Sequence, residues 1–111
     1  MAVYVPERGD IVLLSFDPTR GREQQGTRPA VVISPKLYNR ASGLVLVCPV
    51  TSKSKGYPFE VAISADEGIE GVALVDQIRC VDWKARSARS IGVLTAEQID
   101  DVLAKLRTLT D

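Results

Sequence analysis

Arg28, in the stretch GTRPAVVISP, has a proline directly after it and an aliphatic run beyond. A residue before proline is biased toward extended backbone, so this guanidinium starts from a fixed stem at what reads as a strand entry. Its planar fork of donors matches phosphate or carboxylate. At this level it could form a surface ion pair with Glu23 or Asp17 in the preceding loop, or grip an anionic ligand. A second group follows in VCPVTSKSKGYPFEV, where an apolar strand ends and Thr51, Ser52, Lys53, Ser54 and Lys55 precede a turn at Gly56. Hydroxyls bond phosphate oxygens and ammoniums neutralise them, although Ser/Lys-rich hairpin loops are also ordinary solvated surface. Glu23, in the loop before Arg28, is near enough in sequence to pair with it or to line the opposite wall of one pocket. A third stretch, DQIRCVDWKARSAR, sets Asp76, Arg79, Lys84, Arg86 and Arg89 around Trp83. The indole could stack a base, but a core or dimer-interface position suits it better.

Other chemistries are poorly served. Histidine is absent, which removes the commonest metal ligand and the commonest acid–base group. There is no Gly-rich phosphate loop, no Cys/His cluster and no paired-carboxylate spacing. No metal and no cofactor are expected, and an enzyme built from this chain works with Arg, Thr, Glu and Lys. Cys48 and Cys80 each lie in an apolar run and read as small core residues. With no apolar stretch long enough for a leader or a membrane span, the expectation is a reduced, cytoplasmic protein.

The elements that must position these residues are mostly strands. The 111 residues suit one domain, 1–111. Net charge is zero, but residues 1–60 carry eight basic against five acidic side chains, a balance of +3, which leaves −3 for the remainder. Apolar segments of strand length recur as DIVLLSF, AVVISP, GLVLVCPV, FEVAI, GVALVDQIRCV and RSIGVL. These predict a mainly β fold, six strands forming a small closed or half-closed barrel. The period then changes to 3.6 in VLTAEQIDDVLAKLRTL, placing Ile99, Val102, Leu103, Leu106 and Leu109 on one face. Thr95 and Gln98 form a capping box there, with Leu94 and Ile99 at staple positions. A shorter helical turn is expected in SPKLYNRASG, closed by Gly43. The polar segment DPTRGREQQGTR, residues 17–28, is long for a hairpin connection and so a candidate binding loop.

RGDIVLLSFDPTRGREQQGTRPAVVISP, VCPVTSKSKGYPFEV and GVALVDQIRCVDWKAR, in that order, resemble the MazF/PemK family of toxins from type II toxin-antitoxin modules, across nearly the whole chain. The resemblance implies an SH3-like small β-barrel with a C-terminal α-helix and a homodimer. It also implies a metal-independent endoribonuclease, an mRNA interferase, that cuts single-stranded RNA and is neutralised by a MazE-like antitoxin through a disordered tail. By the same resemblance Arg28 and Thr51 are the catalytic pair and Glu23 a functionally sensitive third residue. Asp76 matches a position implicated in some branches, but those branches carry an arginine where this chain has Leu74. Thr27 stands where some relatives have histidine. Substrate RNA is expected along loops 17–28 and 51–58, touching Asp17, Arg20, Thr27, Ser52, Lys53, Lys55, Asp76 and Gln77. Attack by the 2′-hydroxyl would leave a 2′,3′-cyclic phosphate and a 5′-hydroxyl. The competing expectation is a CcdB-like toxin that binds gyrase without chemistry; such toxins rely on a tryptophan near the C-terminus, whereas this chain ends LRTLTD.

Overall fold

The structure, a computed structural model, describes residues 3–16, 26–65 and 68–111. Its strands are β1 (Asp10–Phe16), β2 (Gly26–Val32), β3 (Leu44–Thr51), β4 (Glu60–Ala65), β5 (Ile69–Leu74), β6 (Arg79–Asp82) and β7 (Arg89–Val93). Two helices, α1 (Lys36–Ser42) and α2 (Ala96–Thr110), complete it. The strands form one antiparallel sheet ordered β4-β5-β3-β2-β1-β7, with β6 also on β3. The sheet curls into a half-barrel; its ends, β4 and β7, meet without a ladder between them.

Alternation along β1, β2 and β3 fills two cores, one on each face. Ile11, Val31, Cys48, Val61, Ile63, Ala73 and Ile91 point into the concave side, which α2 closes with Val102, Ile99, Leu103 and Leu106. Val12, Leu14, Ala30, Val32, Val45 and Val47 point to the other side, covered by Val81, Trp83, Tyr4 and Val5. Each aliphatic side chain buried this way contributes about 1.5–3 kcal/mol before the entropy of ordering is subtracted. Trp83 is a core residue of that second cluster, and its indole N–H donates to the Asn39 carbonyl at 2.8 Å.

The long helix starts where its cap predicts. Thr95 Oγ1 accepts from Gln98 N at 3.1 Å while Gln98 Oε1 accepts from Thr95 N at 2.9 Å, and Leu94 and Ile99 both join the concave core. Leu109 is exposed, so the apolar face ends at Leu106. The short helix α1 also forms and stops at Gly43, whose φ of 76° is the left-handed conformation that glycine adopts without strain.

The structure corrects three expectations. Among the described residues the strand count is seven because residues 71–81 do not run as one strand: a 3₁₀ turn, Val75–Gln77, separates β5 from β6. Both strands pair with β3, but their registers are offset by three residues (Val50↔Ala73 against Leu44↔Asp82), and the turn takes up the offset. Second, β2 begins at Gly26, so Arg28 is inside the strand, opposite Leu14 of β1, and not at its entry. Third, Cys80 is exposed, because the alternation of four-residue β6 turns only Val81 into a core.

Candidate functional site

The site is set by where β2 and β3 part. Their ladder pairs Val32↔Val47, Val31↔Cys48 and Ala30↔Pro49, and ends there. Proline offers no N–H to a ladder, and Pro29 and Pro49 stand at this end of the two strands. Pro29 is tolerated in β2 because residues 26–29 pair only with β1. Past Pro49, β3 continues alongside β5 instead, through Val50↔Ala73 and Thr51↔Val72. Continued two residues further, the β2–β3 register would set Arg28 opposite Thr51. Residues opposite each other in an antiparallel ladder share a face, here the one that Ala30, Val32, Val45 and Val47 occupy. The sequence's two best chemical groups therefore stand on either side of the splay.

Gly71 is what lets β5 reach Thr51 closely. A Cβ at position 71 would lie 2.4 Å from the Thr51 carbonyl oxygen, a clash with backbone that cannot swing away. Thr51 Oγ1 accepts a hydrogen bond from Lys53 N at 3.2 Å. A hydroxyl has one hydrogen to give, so this arrangement occupies a lone pair and does not use the O–H. Arg28 is exposed and makes no ion pair among the described residues.

Thr51 lines a cleft of ≈ 260 Å³. Thr51 and Leu74 contribute from the sheet, Lys53, Lys55, Tyr57 and Glu60 from the β3–β4 connection, and Asp76 and Gln77 from the 3₁₀ turn. The turn is anchored by buried Val75, whose N–H donates to the Phe59 carbonyl at 3.0 Å, which ties the two polar walls together. Glu60's carboxyl is held below its ordinary value, chiefly by the hydrogen bond from the Lys55 backbone and then by that from Ser54. Cys48, behind the cleft in the concave core, has its thiol pushed up to about 12 by burial, with the charge of Asp76 adding to it. It stays a thiol at working pH and is no nucleophile. Among the described residues no group of three or more His, Cys, Asp or Glu could hold a metal ion.

Of the residues singled out from sequence, Thr51, Lys53, Lys55, Asp76 and Gln77 meet around this cleft. Ser52, Thr27 and Arg28 are exposed and do not line it. Asp17, Arg20 and Glu23 lie outside the described residues. Three cleft residues were missed. Tyr57, at 58% exposure a large aromatic left in water, and Glu60 were both legible as an aromatic and an acid closing a Ser/Lys-rich loop. Leu74 read as a strand residue, marked only by standing where some branches of the resembled family carry an arginine.

Fold and site together define a small β half-barrel that presents, where β3 leaves β2 for β5, a hydroxyl-bearing cleft lined by two lysines and two carboxylates. A family model described as PemK-like, MazF-like toxin of type II toxin-antitoxin system matches residues 7–110, and the chain belongs to that family. It is similar to the endoribonuclease toxin MazF of Escherichia coli (strain K12), 48% identical over 106 residues that span 96% of this chain and 95% of the relative. The crystal structure of MazF (Form-I) from Deinococcus radiodurans superposes with a TM-score of 0.83 at 46% identity, covering 97% of this chain and 98% of that one. A MazE-MazF crystal structure (Form-II) from the same organism gives 0.90, also at 46% identity, covering 97% of each chain.

Proposed function

We propose that this chain is the endoribonuclease toxin of a type II toxin-antitoxin module, cutting single-stranded RNA, mRNA in the cell, without a metal. The observation that carries this is the β2–β3 register, which continued past Ala30↔Pro49 would set Arg28 opposite Thr51, together with the lysines that line the cleft at Thr51. RNA brings its own nucleophile. Aligning the 2′-oxygen with phosphorus and the departing 5′-oxygen is the main task left to the protein. Arg28 grips the scissile phosphate in two parallel bonds and stabilises the charge that builds on its oxygens, and the O–H of Thr51 donates beside it. The 2′-hydroxyl loses its proton to a base, its oxygen bonds phosphorus, and the bond from phosphorus to the 5′-oxygen breaks. That oxygen takes up a proton, leaving a 2′,3′-cyclic phosphate and a 5′-hydroxyl. An arginine guanidinium holds its charge throughout the working range, so the base is another group, and Glu23 is our candidate.

The mechanism is tested by digesting a mixed single-stranded RNA in EDTA and mapping the cuts. Cleavage at short defined sequences is expected, and replacing the 2′-hydroxyl at a mapped site with hydrogen should abolish it. Cutting that persists without that hydroxyl, or that stops in EDTA, would refute the mechanism. The same reading makes the chain a homodimer whose cognate antitoxin lays a flexible, acidic and apolar tail over the cleft, blocking RNA by occupancy. Solved MazE-MazF complexes of relatives support that partner class.

A further inference from the structure

The loop 52–58 is wholly exposed, yet its backbone is fixed from both ends by side chains. At its start Thr51 Oγ1 takes the Lys53 amide. At its end Glu60, the first residue of β4 and the partner of Leu74, turns its carboxylate back under the loop. One oxygen accepts from Ser54 Oγ at 2.7 Å and Gly56 N at 3.2 Å, the other from Lys55 N at 3.0 Å. Gly56, at φ 74°, supplies the left-handed turn that brings its amide round. A carboxylate lining a cleft meant for a polyanion should repel it. Here its oxygens accept from three donors drawn from the loop, so the carboxylate is engaged by the backbone it holds, while Lys53 and Lys55 line the same cleft.

We propose that Glu60 is a positioning residue for RNA: it never touches the reacting atoms but locks the 53–57 loop so that Lys53, Lys55 and Tyr57 stand as a preformed lip. Preorganisation of this kind lowers the entropy lost on binding, so Glu60 governs substrate grip and not the chemical step. The inference rests on the RNA-cutting role proposed above. Glutamine at 60 keeps the shape but sets an NH₂ against at least one of the loop's donors.

The experiment compares wild type with Glu60→Gln in steady-state cleavage of an RNA oligonucleotide carrying a mapped site. KM should rise about ten-fold with kcat changed less than two-fold, because charge-assisted bonds are removed away from the scissile phosphate. In a Lys53→Ala/Lys55→Ala background, the same substitution should add less than about two-fold, since it acts through that lip. Independently of RNA, the amide protons of Lys55 and Gly56 should shift with the Glu60 carboxyl as pH falls through its lowered value, and lose that step in Glu60→Gln. The other charged groups lining the cleft, Lys53, Lys55 and Asp76, make residue-resolved NMR the right observable. Tighter RNA binding by Glu60→Gln, a fall in kcat at constant KM, full additivity with the lysine variants, or amides indifferent to the carboxyl would each overturn the proposal. Wild-type protein that leaves RNA intact while the amides still follow Glu60 would overturn the RNA-cutting role and leave the loop lock standing.

Discussion

The body of the sheet and the lip of the cleft are held by different forces. In the body, Ile11, Val12, Val31, Val45, Val47 and Cys48 are at most 1% exposed, and a continuous backbone ladder runs through them. In the lip, every residue from Ser52 to Pro58 is exposed, and order comes from a carboxylate and a hydroxyl bonding backbone amides. Hydrophobic burial is strong and indifferent to direction. Hydrogen bonds at the surface are weak in sum but specify geometry. Stability therefore resides in the body and the geometry of the cleft in the lip, and Thr51 marks the joint between them.

The largest effect should come from the body. Ile11→Ala removes a fully buried side chain and should destabilise the fold by about 2–5 kcal/mol in urea unfolding, with the molecules that remain folded still cutting RNA. Gly71→Ala strikes the joint, forcing a Cβ against the Thr51 carbonyl. It should cost about 1–3 kcal/mol of stability and reduce cleavage as well, since Thr51 has to move. If stability and activity separate in that variant, body and site are less closely joined at Thr51 than the packing implies. Arg28→Lys keeps the charge and loses the fork, so cleavage should slow at least ~10-fold, about 1.4 kcal/mol of barrier, with no change in unfolding. Wild-type rates would return Arg28 to an ordinary surface role. Smallest should be Lys53→Ala/Lys55→Ala, which should leave the melting point alone and flatten the logarithmic salt dependence of RNA binding by about 0.7 for each phosphate that is no longer neutralised.

What was legible in the sequence divides along the same line. Strands β1 and β3 and the capped helix α2 follow from hydrophobic period and a local capping box, information contained within a few residues. The chemical groups Arg28 and Thr51 were legible as types, and the family resemblance paired them. The β2–β3 register, which continued past Pro49 would set them opposite each other, was not, because it joins strands separated by α1 and period alone cannot set register. The 3₁₀ turn at Val75–Gln77 was hidden for a related reason: residues 71–81 are apolar enough for one strand, and only their two offset pairings with β3 demand a break. Cys80 misled because a short strand beside a core need bury only one of its faces. Glu60 was visible as a residue but not as a latch, since its three donors lie four to six positions earlier and meet it only after the loop folds back.

The handover of β3 at Pro49 also bears on how such a chain can change. One residue inserted or deleted between Leu44 and Thr51 would rotate Thr51 to the opposite face, because side chains alternate along a strand. Residues exchanged between Lys53 and Phe59 alter the loop and leave the strand phase untouched. The architecture thus separates two clocks: Arg28 and Thr51 are locked to the slow drift of a packed interior, while the loop that lines the cleft is free to diversify at its own pace.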